Sequence, residues 1–201
     1  MNILITGGAG FIGSWLATYH LKKQDTVYVL DDLSTGEEKN LTSLVSNPKF
    51  HFIKTDILTY ADLQDIVFLV DRIYHLAAVV GMFRVLEEPQ HVLAVNVGAS
   101  ERLLQLAQAS IKKPRFMMIS TSEVYGSAHD NPEKENSNLI ISSISNRSTY
   151  AVSKIAAESY GFAYFKQFEL PITIVRLFNT IGPRQRGQYG MVVPRFVSNA
   201  V

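Results

Sequence analysis

Short apolar runs and helix-like segments alternate along almost the whole chain. Asn2–Thr6 (NILIT), Thr26–Leu30 (TVYVL), His51–Lys54 (HFIK), Arg72–Leu76 (RIYHL), Arg115–Ser120 (RFMMIS) and Ile172–Phe178 (ITIVRLF) read as strands. Between them Phe11–Leu21, Ala61–Val70, His91–Ser110 and Thr149–Phe168 read as helices. In the first helix Phe11, Ile12, Trp15, Leu16 and Tyr19 recur at helical spacing, the pattern of a core-facing stripe. Strand followed by helix, repeated, requires parallel strands with right-handed crossovers. The strands are almost continuously apolar, as strands covered on both faces are. The fold expected is therefore α/β, a doubly wound parallel sheet. One long polar stretch, Ser127–Ser148, is rich in Ser and Asn and reads as a surface loop.

Composition removes several classes of function. With 201 residues, 47% hydrophobic, the chain can bury a substantial core. A net charge of +1 with no long run of one sign predicts neither a nucleic-acid partner nor a polybasic membrane anchor. No cysteine is present, which excludes disulfides, thiol catalysis and thiolate metal sites and suits a cytoplasmic setting. No metal site is expected. Met1 leads straight into a strand, and no apolar run is long enough to span a bilayer, so no leader or membrane segment is predicted. Pro194–Val201 (PRFVSNAV) is apolar and helix-like, with no stop signal. It predicts a chain cut in mid-element, with a piece of roughly 100 residues beyond it.

The first strand runs into GGAGFIGS, where glycines fit two registers, Gly7-Gly10-Gly13 and Gly8-Gly10-Gly13. A helix starting at such a turn presents free N–H groups and partial positive charge, which suits a pyrophosphate. Glycines there let the backbone approach the phosphates. Asp31 follows Gly13 by 18 positions and ends the second strand, where an acid binds the adenosine ribose. A carboxylate there repels a 2′-phosphate, and Asp31–Gly36 (DDLSTG) holds no Arg or Lys. The cofactor expected is NAD rather than NADP.

Tyr150 and Lys154 in YAVSK share one helix face, four residues apart. A nearby ammonium favours the phenolate and is expected to lower the tyrosine pKa from its usual value near 10. The phenolate would take a hydroxyl proton while hydride leaves the same carbon. Tyr19 and Lys23 have the same spacing, but Tyr19 lies deep in the first helix and reads as a core or boundary tyrosine. Ligands of open α/β sheets bind beyond the carboxyl ends of the strands. Gly7, Leu76–Ala78, Ser120–Glu123 and Phe178–Asn179 follow strand ends, and the helix carrying Tyr150 and Lys154 starts on the same side.

Together ITGGAGFIGS, LDDLSTG, KTDI, HLAA, NVGASERLL, ISTSEVYG, YAVSK and RLFNTIGPRQ resemble the extended short-chain dehydrogenase/reductase family, in its nucleotide-sugar epimerase, dehydratase and decarboxylase branch. UDP-glucose 4-epimerases and UDP-glucuronate decarboxylases are similar. The resemblance implies a Rossmann-like sheet over residues 1–178, the start of a substrate domain over residues 179–201, and most of that domain missing. It selects the Gly7, Gly10, Gly13 register and leaves Gly8 a conformational role. Phe11 and Ile12 would offer backbone groups to the pyrophosphate, and Asp56 and Ile57 would hold adenine. Leu76, Ala77 and Ala78 would line the dinucleotide path, with Asn96 and Ser120 nearby. Thr121 would bind the sugar 4-hydroxyl, Ser122 would border the sugar, and Asn179 would meet the diphosphate. Tyr150 would be the base, and Lys154 would hold the nicotinamide ribose. Glu123 is an acid–base group or a loop anchor.

The chemistry so implied is NAD-dependent modification of a nucleotide sugar, a UDP-hexose or UDP-hexuronate, through a transient 4-ketone. Epimerisation and decarboxylation both fit. Many dTDP-glucose 4,6-dehydratases have Asp where this chain has Ser122, yet other dehydratases share Thr-Ser-Glu. A non-catalytic NAD-binding sensor is a further alternative, opposed by the retained Thr121, Tyr150 and Lys154. A dehydrogenase of small alcohols is disfavoured by Asn179. Val80–His91 should border the sugar without an assigned role, and Arg84 within it reads as a solvated charge. A homodimer through the helices near 95–110 and 150–168 is common in the family.

Overall fold

The computed structural model describes residues 1–127, 132–145, 148–186 and 192–200. Six strands form one sheet: β1 (Asn2–Thr6), β2 (Thr26–Asp31), β3 (Phe50–Lys54), β4 (Arg72–His75), β5 (Arg115–Thr121) and β6 (Ile172–Leu177). Their order is β3-β2-β1-β4-β5-β6, and every pairing is parallel. The order reverses between β1 and β4, where a crevice opens beyond the strand ends. The helices are α1 (Phe11–Lys22), α2 (Leu63–Leu69), α3 (Met82–Glu87), α4 (Pro89–Ala109), α5 (Thr149–Phe168) and α6 (Val192–Ala200). The doubly wound α/β expectation is met.

Strand alternation divides the core into two layers. Leu4, Leu30, Ile73, Phe116 and Met118 point to one face and pack under α2, α4 and α5 through Val67, Leu103, Leu104 and Ala157. Ile3, Ile5, Val27, Val29 and Tyr74 point to the other, beneath Ala17 and Leu21 of α1 and the coil residues Leu41 and Leu44. Each fully buried large side chain contributes about 1.5–3 kcal/mol.

Three expectations are corrected here. The buried face of α1 is Gly13, Ser14, Ala17, His20 and Leu21, not the aromatic stripe. Trp15 is 43% exposed and Tyr19 54%, so Tyr19 belongs to the surface, with Lys23 over its ring. Small residues win because α1 starts directly beyond β1 and lies close to the sheet. Second, the helix expected over His91–Ser110 starts at Pro89, directly after a short separate helix, α3. Proline is pre-organised for a first helical turn, which sets the start of α4. Third, Gly8 is not in a left-handed conformation; Gly7 is, at φ +70°. Gly8 is required for space, since a Cβ there would meet the Val29 side chain.

Of the polar stretch 127–148, residues 132–145 lie at the surface, and Ser127 N–H donates to the Ile140 carbonyl at 3.1 Å. Residues 128–131 and 146–147 fall outside the described set, as does Val201. Among the described residues no helix is long and apolar enough to cross a membrane.

Candidate active site

The strand order lays the expected site residues in sequence along one edge. Asp56–Ile57 follow β3, Asp31 ends β2, and Gly7–Gly13 follow β1. Leu76–Ala78 follow β4, Ser120–Glu123 lie at the end of β5, and Asn179 follows β6. Five strand spacings separate the two ends, about 24 Å.

At the glycine turn, Gly7 N–H donates to the Leu30 carbonyl at 2.8 Å. A Cβ on Gly7 would sit 2.8 Å from Ala77 N, and one on Gly13 would collide with the Gly7 carbonyl. The N-cap of α1 is Gly10, with no side chain to satisfy the first-turn amides. Such an end is a cradle for an anion. Asp31 accepts the Ala9 amide on one oxygen and the Leu33 amide on the other, each at 2.9 Å. Burial nevertheless raises its pKa, outweighing those two bonds. Each oxygen retains a lone pair, so hydroxyl donors would relieve the buried charge. These features fit the adenosine ribose and pyrophosphate of a dinucleotide.

The next strand end is tied from below. His75 is buried, with Thr6 Oγ1 at 2.8 Å from Nδ1 and Ser100 Oγ at 3.0 Å from Nε2. Ser100 Oγ donates to the Asn96 carbonyl, so it accepts from Nε2–H, and Thr6 Oγ1 donates to Nδ1. Burial first, and the Lys154 charge second, hold His75 at about 3, in keeping with that neutral tautomer. Thr6 Oγ1 also accepts the Ala77 amide at 3.2 Å. Asn96 grips the same loop one residue beyond Ala78. It accepts Val79 N–H at 2.7 Å and donates to the Val79 carbonyl at 3.2 Å. Its amide also donates to Ser153 Oγ, whose hydroxyl donates to the Tyr150 carbonyl.

At the end of β5 and the start of α5 lie the groups expected to react. Thr121 is 9% exposed, and its Oγ1 accepts the Glu123 amide at 3.2 Å. Ser122 is half-buried and Glu123 exposed. Lys154 Nζ donates to the Ile119 carbonyl at 2.9 Å and lies 5.9 Å from the centre of the Tyr150 ring. Burial pushes the Lys154 ammonium down to about 8, against the pull of Glu158. Tyr150 departs from expectation: burial, and then the Glu123 carboxylate, push its pKa up rather than down. Lys154 has turned its charge to a main-chain carbonyl, and burial of the phenol prevails.

Ile57 is a core residue under α4, whereas Asp56 and Asn179 are exposed. The Ser120 hydroxyl is engaged by Glu158 Oε1 at 2.5 Å. Arg84 is not a free surface charge; its Nη2 donates to the Ser34 carbonyl at 3.2 Å.

A model of the NAD dependent epimerase/dehydratase family matches residues 3–201. The chain belongs to this family. It is 36% identical over 201 residues to UDP-glucuronic acid decarboxylase 1 of Arabidopsis thaliana, matching all of this chain and 45% of that protein. The UDP-glucuronic acid 4-epimerase of Bacillus cereus, solved in complex with NAD, superposes with a TM-score of 0.85 at 34% identity. That match spans 100% of this chain and 62% of the other. The dTDP-glucose 4,6-dehydratase of Streptomyces venezuelae, solved with NAD and TYD bound, gives 0.86 at 32% identity, over 100% and 62%. The chain thus spans about half the length of the curated relatives it matches, and about three fifths of the solved ones.

Several residues around this family's sheet escaped the sequence reading. Arg102 of α4 donates to the carbonyls of Ile57, Leu58 and Tyr60, clamping the loop after β3. Glu158 accepts Arg176 Nη2 at 2.7 Å and Nε at 3.0 Å, while the guanidinium lies 4.8 Å from the Tyr125 ring centre. Arg102 has no sequence signal, because its partners are main-chain carbonyls. Glu158 had one: it continues the Tyr150, Lys154 spacing by another four residues.

Proposed function

We propose that the whole protein is an NAD-dependent enzyme that modifies a nucleotide sugar through a transient 4-ketone, as a decarboxylase or 4-epimerase of a UDP-hexuronate or UDP-hexose. The observation that carries this reading is the meeting of Tyr150, Lys154 and Thr121 at the β5 end of a crevice whose β1 end is an uncapped glycine turn. Residues 1–178 form the cofactor half in this reading, and residues 179–201 begin the substrate half.

NAD supplies acceptance and return of one hydride when bound. Gly7, Gly10, Gly13 and the backbone of Phe11 and Ile12 would hold its pyrophosphate, Asp31 its adenosine ribose, and Asp56 with the main chain of the core residue Ile57 its adenine. Leu76, Ala77 and Ala78 would line the path, with Asn96 holding the loop just beyond them and Ser120 near the nicotinamide end. Lys154 would donate to the nicotinamide ribose. Thr121 binds the sugar 4-hydroxyl, and Tyr150 takes its proton as the base. Positive charge entering the crevice opposes the burial and the Glu123 carboxylate that keep the phenol protonated in the free protein. Ser122 borders the sugar, Glu123 serves as an acid–base group in this reading, and Asn179 meets the diphosphate. Ser122 in place of Asp favours decarboxylation or epimerisation over dTDP-glucose dehydration.

A second copy is proposed as partner, across α4 and α5. Phe162 and Phe165 of α5 are 57% and 54% exposed, and Leu93 of α4 is 38% exposed, which is costly apolar surface to leave in water. A cytoplasmic location suits the absence of cysteine.

The test uses full-length protein with NAD⁺ and UDP-glucuronic acid, UDP-glucose, UDP-N-acetylglucosamine and dTDP-glucose. Mass spectrometry and NMR distinguish loss of CO₂, loss of water and unchanged mass. Tyr150→Phe is expected to slow turnover about 10²–10⁴-fold, the range for a general base. Full turnover by that variant would falsify the mechanism, and NAD binding without product from any sugar would support the sensor reading.

A further inference from the structure

Tyr150, Lys154 and Glu158 occupy one face of α5 at successive turns, and the last two reach consecutive residues of β5. Lys154 Nζ donates to the Ile119 carbonyl at 2.9 Å. One turn on, Glu158 Oε1 accepts the Ser120 hydroxyl at 2.5 Å. Thr121 is the next residue of the strand, and Tyr150 lies one turn before Lys154. Helix and strand are thereby clamped at two adjacent points just below the groups proposed to react.

The second clamp is built as a unit. The Glu158 and Arg176 side chains are 11% and 18% exposed. Arg176 of β6 meets the carboxylate with Nη2 at 2.7 Å and with Nε at 3.0 Å. A two-point pairing of this kind fixes orientation as well as charge. The same guanidinium lies on Tyr125, whose 3₁₀ turn Ser122–Tyr125 is capped by Thr121. Its Nη1 reaches the Glu135 carbonyl at 3.2 Å. One ion pair therefore joins α5, β5, β6, the turn bearing Glu123 and the loop beyond it.

We propose that Glu158 and Arg176 are positioning residues, which hold the Tyr150 phenol and the Lys154 ammonium in register with Thr121. This rests on the roles proposed above for those three residues. Glu158 also faces Lys154 as the anion supporting its charge. The other titratable groups around that ammonium are Tyr150 on the same helix, neutral His75 below it, Glu123 beyond Thr121, and Arg176, whose charge Glu158 neutralises.

The experiment takes full-length protein as wild type, Glu158→Gln and the paired variant Glu158→Gln/Arg176→Met. The pair leaves no unpartnered buried charge and keeps the test alive where the single variant fails to fold. Turnover is followed with UDP-glucuronic acid and NAD⁺. Independently of turnover, the Lys154 Nζ resonance is titrated by NMR in the cofactor-free protein and assigned with Lys154→Met. The expected result is a kcat about a hundredfold lower with KM for the sugar nucleotide little changed, as for about 1 Å of misplacement. In Glu158→Gln the Lys154 midpoint is expected to fall below its wild-type value of about 8. A Lys154 midpoint and kcat both equal to wild type in a folded variant would overturn the proposal. Were wild type to turn over none of the sugar nucleotides, the functional reading would fail. The lysine titration would still decide the proposal, an unmoved midpoint sinking it and a lowered one sustaining it.

Discussion

Asn96 and Val79 hold each other by two hydrogen bonds, 2.7 Å from the Val79 amide to Oδ1 and 3.2 Å from Nδ2 to the Val79 carbonyl. The pairing mimics a strand partner where β4 has already ended at His75. It keeps the backbone just beyond Leu76–Ala78 from needing water.

Asn96→Leu preserves volume and removes both bonds, together with the donor to Ser153. Each buried group left unsatisfied costs about 1–3 kcal/mol. Thermal unfolding of this variant should therefore show a drop of that size or more, with weaker NAD binding by calorimetry. An unchanged midpoint would mean that the loop holds itself.

Glycines of one chain should answer differently to alanine. Gly7→Ala puts a Cβ 2.8 Å from Ala77 N at φ +70° and should destabilise by about 1–3 kcal/mol, the usual cost of backbone strain. Gly161, inside α5, would place its Cβ no closer than 3.6 Å to Ile172 and Met118. Gly161→Ala should stabilise by up to about 1 kcal/mol through helix propensity. Denaturant midpoints of the two variants should move in opposite directions.

The sheet and the position of the crevice were legible because both follow from local pattern. Parallel strands buried on both faces are written as short apolar runs, and topology then places every strand end on one side. The face of α1 was not legible, because periodicity rewards Trp15 and Tyr19 and says nothing of how near the helix must come to the sheet. His75, Arg102 and Arg176 were invisible for another reason. Their partners, Thr6 and Ser100, the carbonyls after β3, and Glu158, are brought to them only by the fold. The Tyr150 pKa was read from its nearest cation in sequence, whereas burial governs it.

Acid should unfold the protein partly through the amino-terminal ends of β2 and β4. Burial alone would raise the Asp25 pKa, but hydrogen bonds from His20 at 2.8 Å and from the N-terminal ammonium at 2.9 Å outweigh it and hold it below 3.8. Asp71 is lowered first by the Asn2 amide, with Lys112 adding to it against burial. A depressed carboxylate stabilises the fold above its unfolded pKa, and that stability is lost as pH falls through the folded value. Denaturant midpoints should therefore decline below about pH 4. Asp71→Asn should decline less steeply and converge on wild type at the acid end; parallel curves would remove Asp71 from the account.

Alkaline pH should separate activity from stability. Lys154 titrates at about 8 in the folded chain against an ordinary 10.5. Between those values the unfolded chain binds the extra proton, so folding stability rises with pH across that window. The sign is opposite to that of the carboxylates, because here folding penalises the charged form. The ammonium proposed to hold the nicotinamide ribose is lost over the same window. Full-length protein should therefore lose turnover above about pH 8 while its denaturant midpoint moves upward. Lys154→Met should abolish the stability rise and leave a slow activity without that alkaline limb. Activity and stability falling together above pH 8 would show instead that the fold, and not the lysine, is what titrates.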